Sequence, residues 1–143
     1  MDDVYIVGLG MTPFGKFSDL SVKDLTEQAV TAALDDAGAE ADQLTAAYFA
    51  NTSQGALEGQ FMVRGEMALR GAKLQGIPVV NVGNACASAS TAFHQAVNHI
   101  RAGVSDVVLA VGGEKMYFDD KERVFGIFDG AWDVHNRELP TTG

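Results

Sequence analysis

The chain has 143 residues, of which 47% are hydrophobic and 20% are charged, a composition typical of a folded globular protein and not of a disordered one. Ten Lys and Arg against nineteen Asp and Glu give a net charge of −9, which argues against binding to a nucleic-acid phosphate backbone. No run reaches the roughly 18 apolar residues that a membrane span needs, and the N-terminus MDDVYIVGLG carries acids where a secretory signal carries positive charge, so we expect a cytoplasmic protein.

The first part of the chain predicts one strand and one helix. The apolar run VYIVGLG at residues 4–10 ends in glycines and is typical of a buried strand. After a loop, Ser21 stands three residues before Asp24 in a capping-box pattern, so we expect a helix to begin at Val22. Apolar residues then recur at helical spacing until Gly38, where we expect the helix to end.

The following residues alternate between strand and helix patterns. Residues 45–55 predict a strand that runs into a polar turn, and the apolar runs at residues 76–83 and 106–113 predict two more strands. Helix formers predict a helical segment at residues 57–71, and apolar residues on one face predict a helix from about Cys86 to Ala102. With the first strand this gives the order βαβαβαβ, which predicts an α/β fold with a mostly parallel sheet and helices on both faces. Residues 119–143 have no clean period, and we expect them to begin a loop region that is incomplete here.

Several motifs with known chemistry are absent or incomplete. The glycines that begin at position 8 would need a third glycine at position 13 to bind a dinucleotide, but Pro13 stands there and no helix opens at this loop. His94 and His99 are five residues apart, so they do not share a helical face as metal ligands four apart would. His135 lies in the aperiodic tail, and we predict no metal site.

Cys86, the single cysteine of the chain, stands between a predicted strand and a run of very small residues that begins a helix. One cysteine excludes an internal disulfide. At a helix start, a thiol faces unpaired backbone N–H groups and the positive end of the helix dipole, which favours the nucleophilic thiolate. The same N–H groups are suited to bind a substrate carbonyl oxygen. The alternative is a buried, inert cysteine that packs as a small hydrophobe, and the residues alone leave both interpretations open.

Longer segments resemble one family. The segment VNVGNACASASTAFHQAVNHIRAGVSDVVLAVGGEKM at residues 80–116 is similar to the nucleophile segment of the thiolase superfamily. The segments VYIVGLGMTPFGKF and SVKDLTEQAVTAALDDAGAEADQLTAAYFAN resemble the first strand, first helix and second strand of that family. The opening GLGMTPFGKF and the GGEKM turn are most similar to sterol-carrier-protein-type, or lipid-transfer-protein-type, thiolases. The resemblance implies that residues 1–118 are the N-terminal α/β half of a five-layered αβαβα sandwich.

The same resemblance implies a function. Cys86 would be the catalytic nucleophile of an acyl-CoA acyltransferase, which takes coenzyme A thioesters as substrates and holds no permanently bound cofactor. In the family, the cysteine carries the acyl group as a thioester during Claisen condensation or during thiolysis of a 3-ketoacyl-CoA. The activating histidine and a second acid/base residue belong to the C-terminal half, and neither His94, His99 nor His135 matches them. We therefore expect the 143-residue chain alone to be inactive, and to form a homodimer or a larger assembly with a chain that supplies the other half.

Three other functions stay open. One is a retro-aldolase that cleaves side-chain acyl-CoA adducts, an activity found among lipid-transfer-protein-type relatives. Another is a ketosynthase of the same superfamily, and the last is a non-catalytic scaffold subunit in which Cys86 is inert. Relatives of this branch also pair with a small OB-fold protein that binds acyl-CoA, so a partner of that kind is a further expectation.

Overall fold

The computed structural model describes residues 3–136 and builds them around a three-stranded sheet. The strands are β1 (Ala46–Ala50), β2 (Val79–Val82) and β3 (Val108–Gly112), and the helices are α1 (Val22–Ala37), α2 (Gln54–Glu58), α3 (Arg64–Leu69), α4 (Ser88–Arg101) and α5 (Lys121–Gly126). Short 3₁₀ turns lie at Ala41–Gln43 and Ile127–Ala131.

The sheet is parallel throughout, with β1 in the centre and the strand order β2-β1-β3. In register, Phe49 of β1 lies opposite Asn81 of β2 and Val111 of β3. All five residues of β1 are buried, because a central parallel strand is covered on both faces. This confirms the predicted α/β fold with a parallel sheet.

Helices cover both faces of the sheet, as the sequence predicts. Because side chains alternate along a strand, Ala47 and Phe49 face one side, where α1 and α3 pack, whereas Tyr48 and Ala50 face α4 on the other. The small residues of α4 let its backbone lie close to the sheet. Ala92, for example, is buried between α4 and the strands.

The predicted capping box at the start of α1 is confirmed. The Asp24 backbone N–H donates to Ser21 Oγ (3.2 Å), and the Ser21 backbone N–H donates to Asp24 Oδ2 (2.8 Å). Ser21 Oγ also donates to Asp24 Oδ2 (2.7 Å), and this bond, together with the one from the Ser21 backbone N–H, lowers the pKa of the Asp24 carboxyl. The helix ends where expected, at Gly38, whose left-handed φ of 61° suits glycine.

The strand predicted at residues 4–10 is wrong for the described structure, since this segment pairs with no other strand there. Its glycines instead bring its backbone directly against α1: a Cβ atom added to Gly10 would lie 2.1 Å from the Ala29 carbonyl oxygen. The apolar side chains around these glycines are largely exposed; Tyr5 is 74% and Leu9 is 72% accessible. The apolar pattern therefore indicates that this segment has apolar side chains to bury, but it does not show that the segment pairs with a strand.

Two predicted helices have different bounds in the structure. The segment at residues 57–71 is divided into α2 and α3, because Gly59 adopts a left-handed φ of 78° and ends α2. The helix predicted from Cys86 begins two residues later, at Ser88. The aperiodic stretch from residue 119 contains α5, where the Asp120 carboxylate accepts from the Arg123 backbone N–H (3.0 Å); part of this stretch lies outside the described residues. None of the helices within residues 3–136 is long and apolar enough to cross a bilayer.

Candidate active site at the carboxyl edge of the sheet

Three loops meet where the parallel strands end. They are residues 51–53 after β1, residues 83–87 after β2 and residues 113–114 after β3, and we call them together the carboxyl edge. Since parallel strands all end on the same side, their loops form one surface, and ligands of open α/β sheets bind at this side. Cys86 lies in the second of these loops.

The loop that carries Cys86 is a tight and strained connection. The Ala87 backbone N–H donates to the Asn84 carbonyl oxygen (2.9 Å), which closes a turn with Cys86 at its third position. Ala85 has a left-handed φ of 45°, which for a residue with a side chain costs about 1–3 kcal/mol. Cys86 is exposed, so the structure does not show the buried position that one of the two interpretations expects.

Two hydroxyl groups hold this loop in place. Ser88 is buried at the first turn of α4, and its Oγ accepts from the Asn84 backbone N–H (2.7 Å) and donates to the Ala85 carbonyl oxygen (2.8 Å). Thr52, in the loop after β1, has its Oγ1 3.0 Å from the same carbonyl oxygen and 3.0 Å from Ser88 Oγ. The loop of Cys86 is thereby attached to the loop of the central strand.

The loops after β1 and β3 are joined by a second polar cluster. The Glu114 carboxylate accepts from the backbone N–H groups of Thr52 and Ser53 and from Ser53 Oγ. Asn51, which is buried, donates from Nδ2 to the Gly113 carbonyl oxygen (2.7 Å). Thr52 therefore connects Glu114 on one side with the loop of Cys86 on the other.

This arrangement suits a nucleophile that attacks a carbonyl group. Among the described residues, the backbone N–H of Cys86 donates to no protein acceptor, so it is available to an oxygen of a bound substrate. The thiol precedes the 14-residue helix α4, whose N-terminus carries partial positive charge. Its neighbours Ala85 and Ala87 are small, which lets a substrate approach the sulfur.

The histidines do not join Cys86. His99 accepts or donates at both ring nitrogens, with Tyr48 Oη 2.9 Å from Nδ1 and Ser105 Oγ 2.9 Å from Nε2. It lies in the last turn of α4, about 16 Å along the helix from Ser88 at a rise of roughly 1.5 Å per residue. His94 contacts Asn98 on an exposed surface of the same helix, and His135 is exposed in the tail. His94 on the surface of α4 and His99 at the edge of the core agree with the positions expected from the sequence.

Sequence reasoning missed the roles of the polar residues that join the three loops of the carboxyl edge, namely Asn51, Thr52, Ser53, Ser88 and Glu114. A signal for four of them was present, because NTS and GGE follow two apolar strand patterns directly and must meet at the edge of a parallel sheet. Within residues 3–136, no cluster of three or more metal-ligating side chains is found.

The sequence of this chain matches one protein family and several characterised relatives. The family described as "Thiolase, N-terminal domain" matches residues 4–128. An acetyl-CoA acetyltransferase of Methanocaldococcus jannaschii is 36% identical over 136 residues, which cover 94% of this chain and 34% of the relative. Sterol carrier protein 2 of Gallus gallus is 38% identical over 119 residues, 79% of this chain and 20% of that protein. The chain thus spans about a third or less of the length of these relatives.

A solved structure has the same fold over most of the chain. The structure titled "Ltp2-ChsH2(DUF35) aldolase" matches with a TM-score of 0.57 and 25% sequence identity, over 72% of this chain and 25% of the solved one.

Proposed function

The chain belongs to the thiolase family, and on that premise we propose that it contributes the nucleophilic Cys86 to an acyl-CoA acyltransferase. The observation that carries the proposal is the position of Cys86: it is exposed, at the carboxyl edge, on a strained turn ahead of α4. We further propose that residues 1–118 form the N-terminal half of the complete enzyme and that residues 119–143 begin the region that follows.

The proposed first step is transfer of the acyl group to the sulfur. The Cys86 thiolate attacks the carbonyl carbon of an acyl-CoA, and the backbone N–H of Cys86 binds the oxygen on which negative charge develops. A bond forms between that carbon and Sγ, the bond to the coenzyme A sulfur breaks, and coenzyme A leaves as the thiolate and takes up a proton. The product is a thioester on Cys86.

The second step uses that thioester in one of two directions. In condensation, the carbanion of a second acyl-CoA attacks the acyl carbon, a carbon–carbon bond forms and Cys86 leaves as the thiolate. Thiolysis of a 3-ketoacyl-CoA is the reverse. Both directions need a base. The hydrogen bonds of the His94 and His99 rings go to other parts of the chain, and the resemblance to the family assigns the base to the C-terminal half, so we assign it to a segment outside the 143 residues.

The structure has a surface that such a segment would cover. β3 is an edge strand, and it borders an apolar groove of about 770 Å³ between the N-terminal segment and α4. We call this side of the sheet the open flank; its exposed apolar residues include Tyr5, Leu9, Phe14 and Phe93. Uncovered apolar surface and a free strand edge favour association. These features support a larger assembly that supplies the C-terminal thiolase half.

A pre-steady-state assay tests the proposal. Mixing the complete assembly with acetyl-CoA is expected to release a burst of coenzyme A of about one equivalent per chain as the thioester forms, before any slower steady-state release from condensation. The Cys86→Ala assembly should show no burst. A burst of equal size in that variant would refute the assignment of Cys86, and the isolated chain should release none.

One observation favours a second candidate, which is a retro-aldolase acting on acyl-CoA adducts. The solved structure with a TM-score of 0.57 is titled an aldolase. In such a reaction a base removes the β-hydroxyl proton, the α–β carbon–carbon bond breaks to give a carbonyl compound, and the acyl-CoA enolate takes up a proton. No thioester to Cys86 is needed, so full carbon–carbon cleavage by a Cys86→Ala assembly would favour this candidate over acyl transfer.

A further inference from the structure

The carbonyl oxygen of Ala85 has three hydrogen-bond donors close to it, two of them side-chain hydroxyls. It lies 2.8 Å from Ser88 Oγ, 3.0 Å from Thr52 Oγ1 and 3.2 Å from the Ser88 backbone nitrogen. Ala85 is also the residue with the left-handed backbone, immediately before Cys86. A strained residue keeps such a conformation only when its surroundings hold it there, and here the surroundings are these hydrogen bonds.

Ser88 has the central role in this contact set. The residue is 5% exposed. Its Oγ accepts from the Asn84 backbone N–H and donates to the Ala85 carbonyl oxygen, so one hydroxyl holds both residues that precede Cys86. The hydroxyl thus spans the chain on the N-terminal side of Cys86 while its own backbone starts α4. Thr52 adds a contact from another loop, so the turn is fixed relative to the sheet as well as to the helix.

We propose that Ser88 is a positioning residue for Cys86, with Thr52 as its supporting contact; this rests on the proposed function of Cys86 as acyl acceptor. The two hydroxyls fix the Ala85 peptide, and that peptide sets the direction of the Cys86 backbone N–H and the place of its Sγ. Without the Ser88 hydroxyl, the turn relaxes. The Cys86 sulfur is then no longer aligned with the substrate carbonyl carbon while the Cys86 N–H binds the oxygen of the same carbonyl group. Loss of such alignment slows the chemical step more than it weakens substrate binding.

The test compares Ser88→Ala with Ser88→Thr in the complete assembly. We expect Ser88→Ala to lower kcat for acyl transfer from acetyl-CoA by about 10- to 100-fold while KM changes by less than about twofold. Ser88→Thr keeps a hydroxyl at the same atom and is expected to restore most of the rate. Ser90→Ala is the matched control, because Ser90 Oγ donates to the Ala87 carbonyl oxygen (3.0 Å) in the same helical turn but is exposed.

Two results separate the possible failures. If Cys86→Ala keeps acyl transfer, the proposed function is wrong. If Cys86→Ala is inactive and a folded Ser88→Ala assembly has the wild-type kcat, the positioning role of Ser88 is overturned.

Thr52 keeps the test decisive if Ser88→Ala does not fold. Thr52 is exposed, so Thr52→Val is expected to fold, as circular dichroism can verify. We expect it to lower kcat by about three- to tenfold, with Thr52→Ser close to the wild type. A folded Thr52→Val assembly with unchanged kcat contradicts the proposal.

Discussion

The carboxyl edge and the open flank of the same sheet differ in how completely their side chains find partners within the chain. At the carboxyl edge, side chains such as Asn51, Ser53 and Ser88 are buried and hydrogen bonded to neighbouring loops. At the open flank, Phe14 is 94% exposed and the edge of β3 has no partner strand among residues 3–136.

This difference in pairing and burial indicates that the two regions have different roles. Buried polar groups are mostly paired within proteins, and at the carboxyl edge Asn51, Ser53 and Ser88 have their partners among residues 3–136. Apolar surface without a cover gains most from a further chain segment, so the open flank is where completion of the molecule is expected. Substitutions at the carboxyl edge are therefore expected to change the chemistry, and substitutions at the open flank to change association.

The largest expected effect is at the carboxyl edge, where Cys86→Ala removes the sulfur. We expect acyl transfer by the complete assembly to fall by about 10³-fold or more, because no other side chain there can form the thioester. The side chain is exposed, so thermal unfolding should stay within a few degrees of the wild type. Steady-state release of coenzyme A measures the first quantity, and residual activity above a tenth of the wild-type rate would contradict the assignment.

A pair of phenylalanines compares the covered and uncovered parts of the molecule in terms of stability. Phe49 is 1% exposed beneath α1 and α3, so Phe49→Ala is expected to lower the free energy of unfolding by about 3–5 kcal/mol. Phe14→Ala should change it by less than about 0.5 kcal/mol in the isolated chain. Urea denaturation measures both values. Equal losses would mean that the open flank is already covered in solution.

A glycine substitution tests how the N-terminal segment is held on α1. A Cβ atom at Gly10 would lie 2.1 Å from the Ala29 carbonyl oxygen, so Gly10→Ala is expected to cost about 1–3 kcal/mol and to expose residues 3–17 to proteolysis. Gly126→Ala is the control, since a Cβ atom there meets nothing within 4 Å. Unchanged cleavage in Gly10→Ala would show that the segment does not pack on α1 in this way.

The smallest expected effect is at the start of α1. Ser21→Ala removes one side of the capping box and should cost about 1 kcal/mol at neutral pH. The folded state lowers the pKa of Asp24, so the ionised carboxylate stabilises the fold above the ordinary Asp pKa, and this contribution is lost as the pH falls through the lowered value. The difference between wild type and Ser21→Ala should therefore shrink in acid. A difference that grows below pH 4 would contradict the role of the Asp24 carboxylate.

Much of the fold could be predicted from local patterns. Ser21, Asp24 and Gly38 bound α1 because caps depend on residues close in sequence, and the buried strands appear as continuous apolar runs. The N-terminal segment was predicted wrongly, since an apolar run reports burial potential but does not name the partner that buries it. Gly59, which divides α2 from α3, is a helix-breaking residue whose effect depends on its left-handed backbone.

The candidate site could be predicted only in part. Cys86 stands out in the sequence because a single thiol follows a strand and precedes small residues. Thr52 and Glu114 are 34 residues before it and 28 residues after it, and they meet at one edge only through the pairing of β1 with β2 and β3. The left-handed backbone of Ala85 has no sequence signature at all, because alanine seldom adopts it.

Acylation of the sulfur itself is the most direct test of the account. The complete assembly is mixed with isotopically labelled acetyl-CoA, quenched in acid and digested, and the labelled peptide is identified by mass spectrometry. We predict one acetyl group per chain, attached to Cys86 and released by hydroxylamine as expected for a thioester. A label on another residue, with the thiol of Cys86 unmodified, would contradict the central claim.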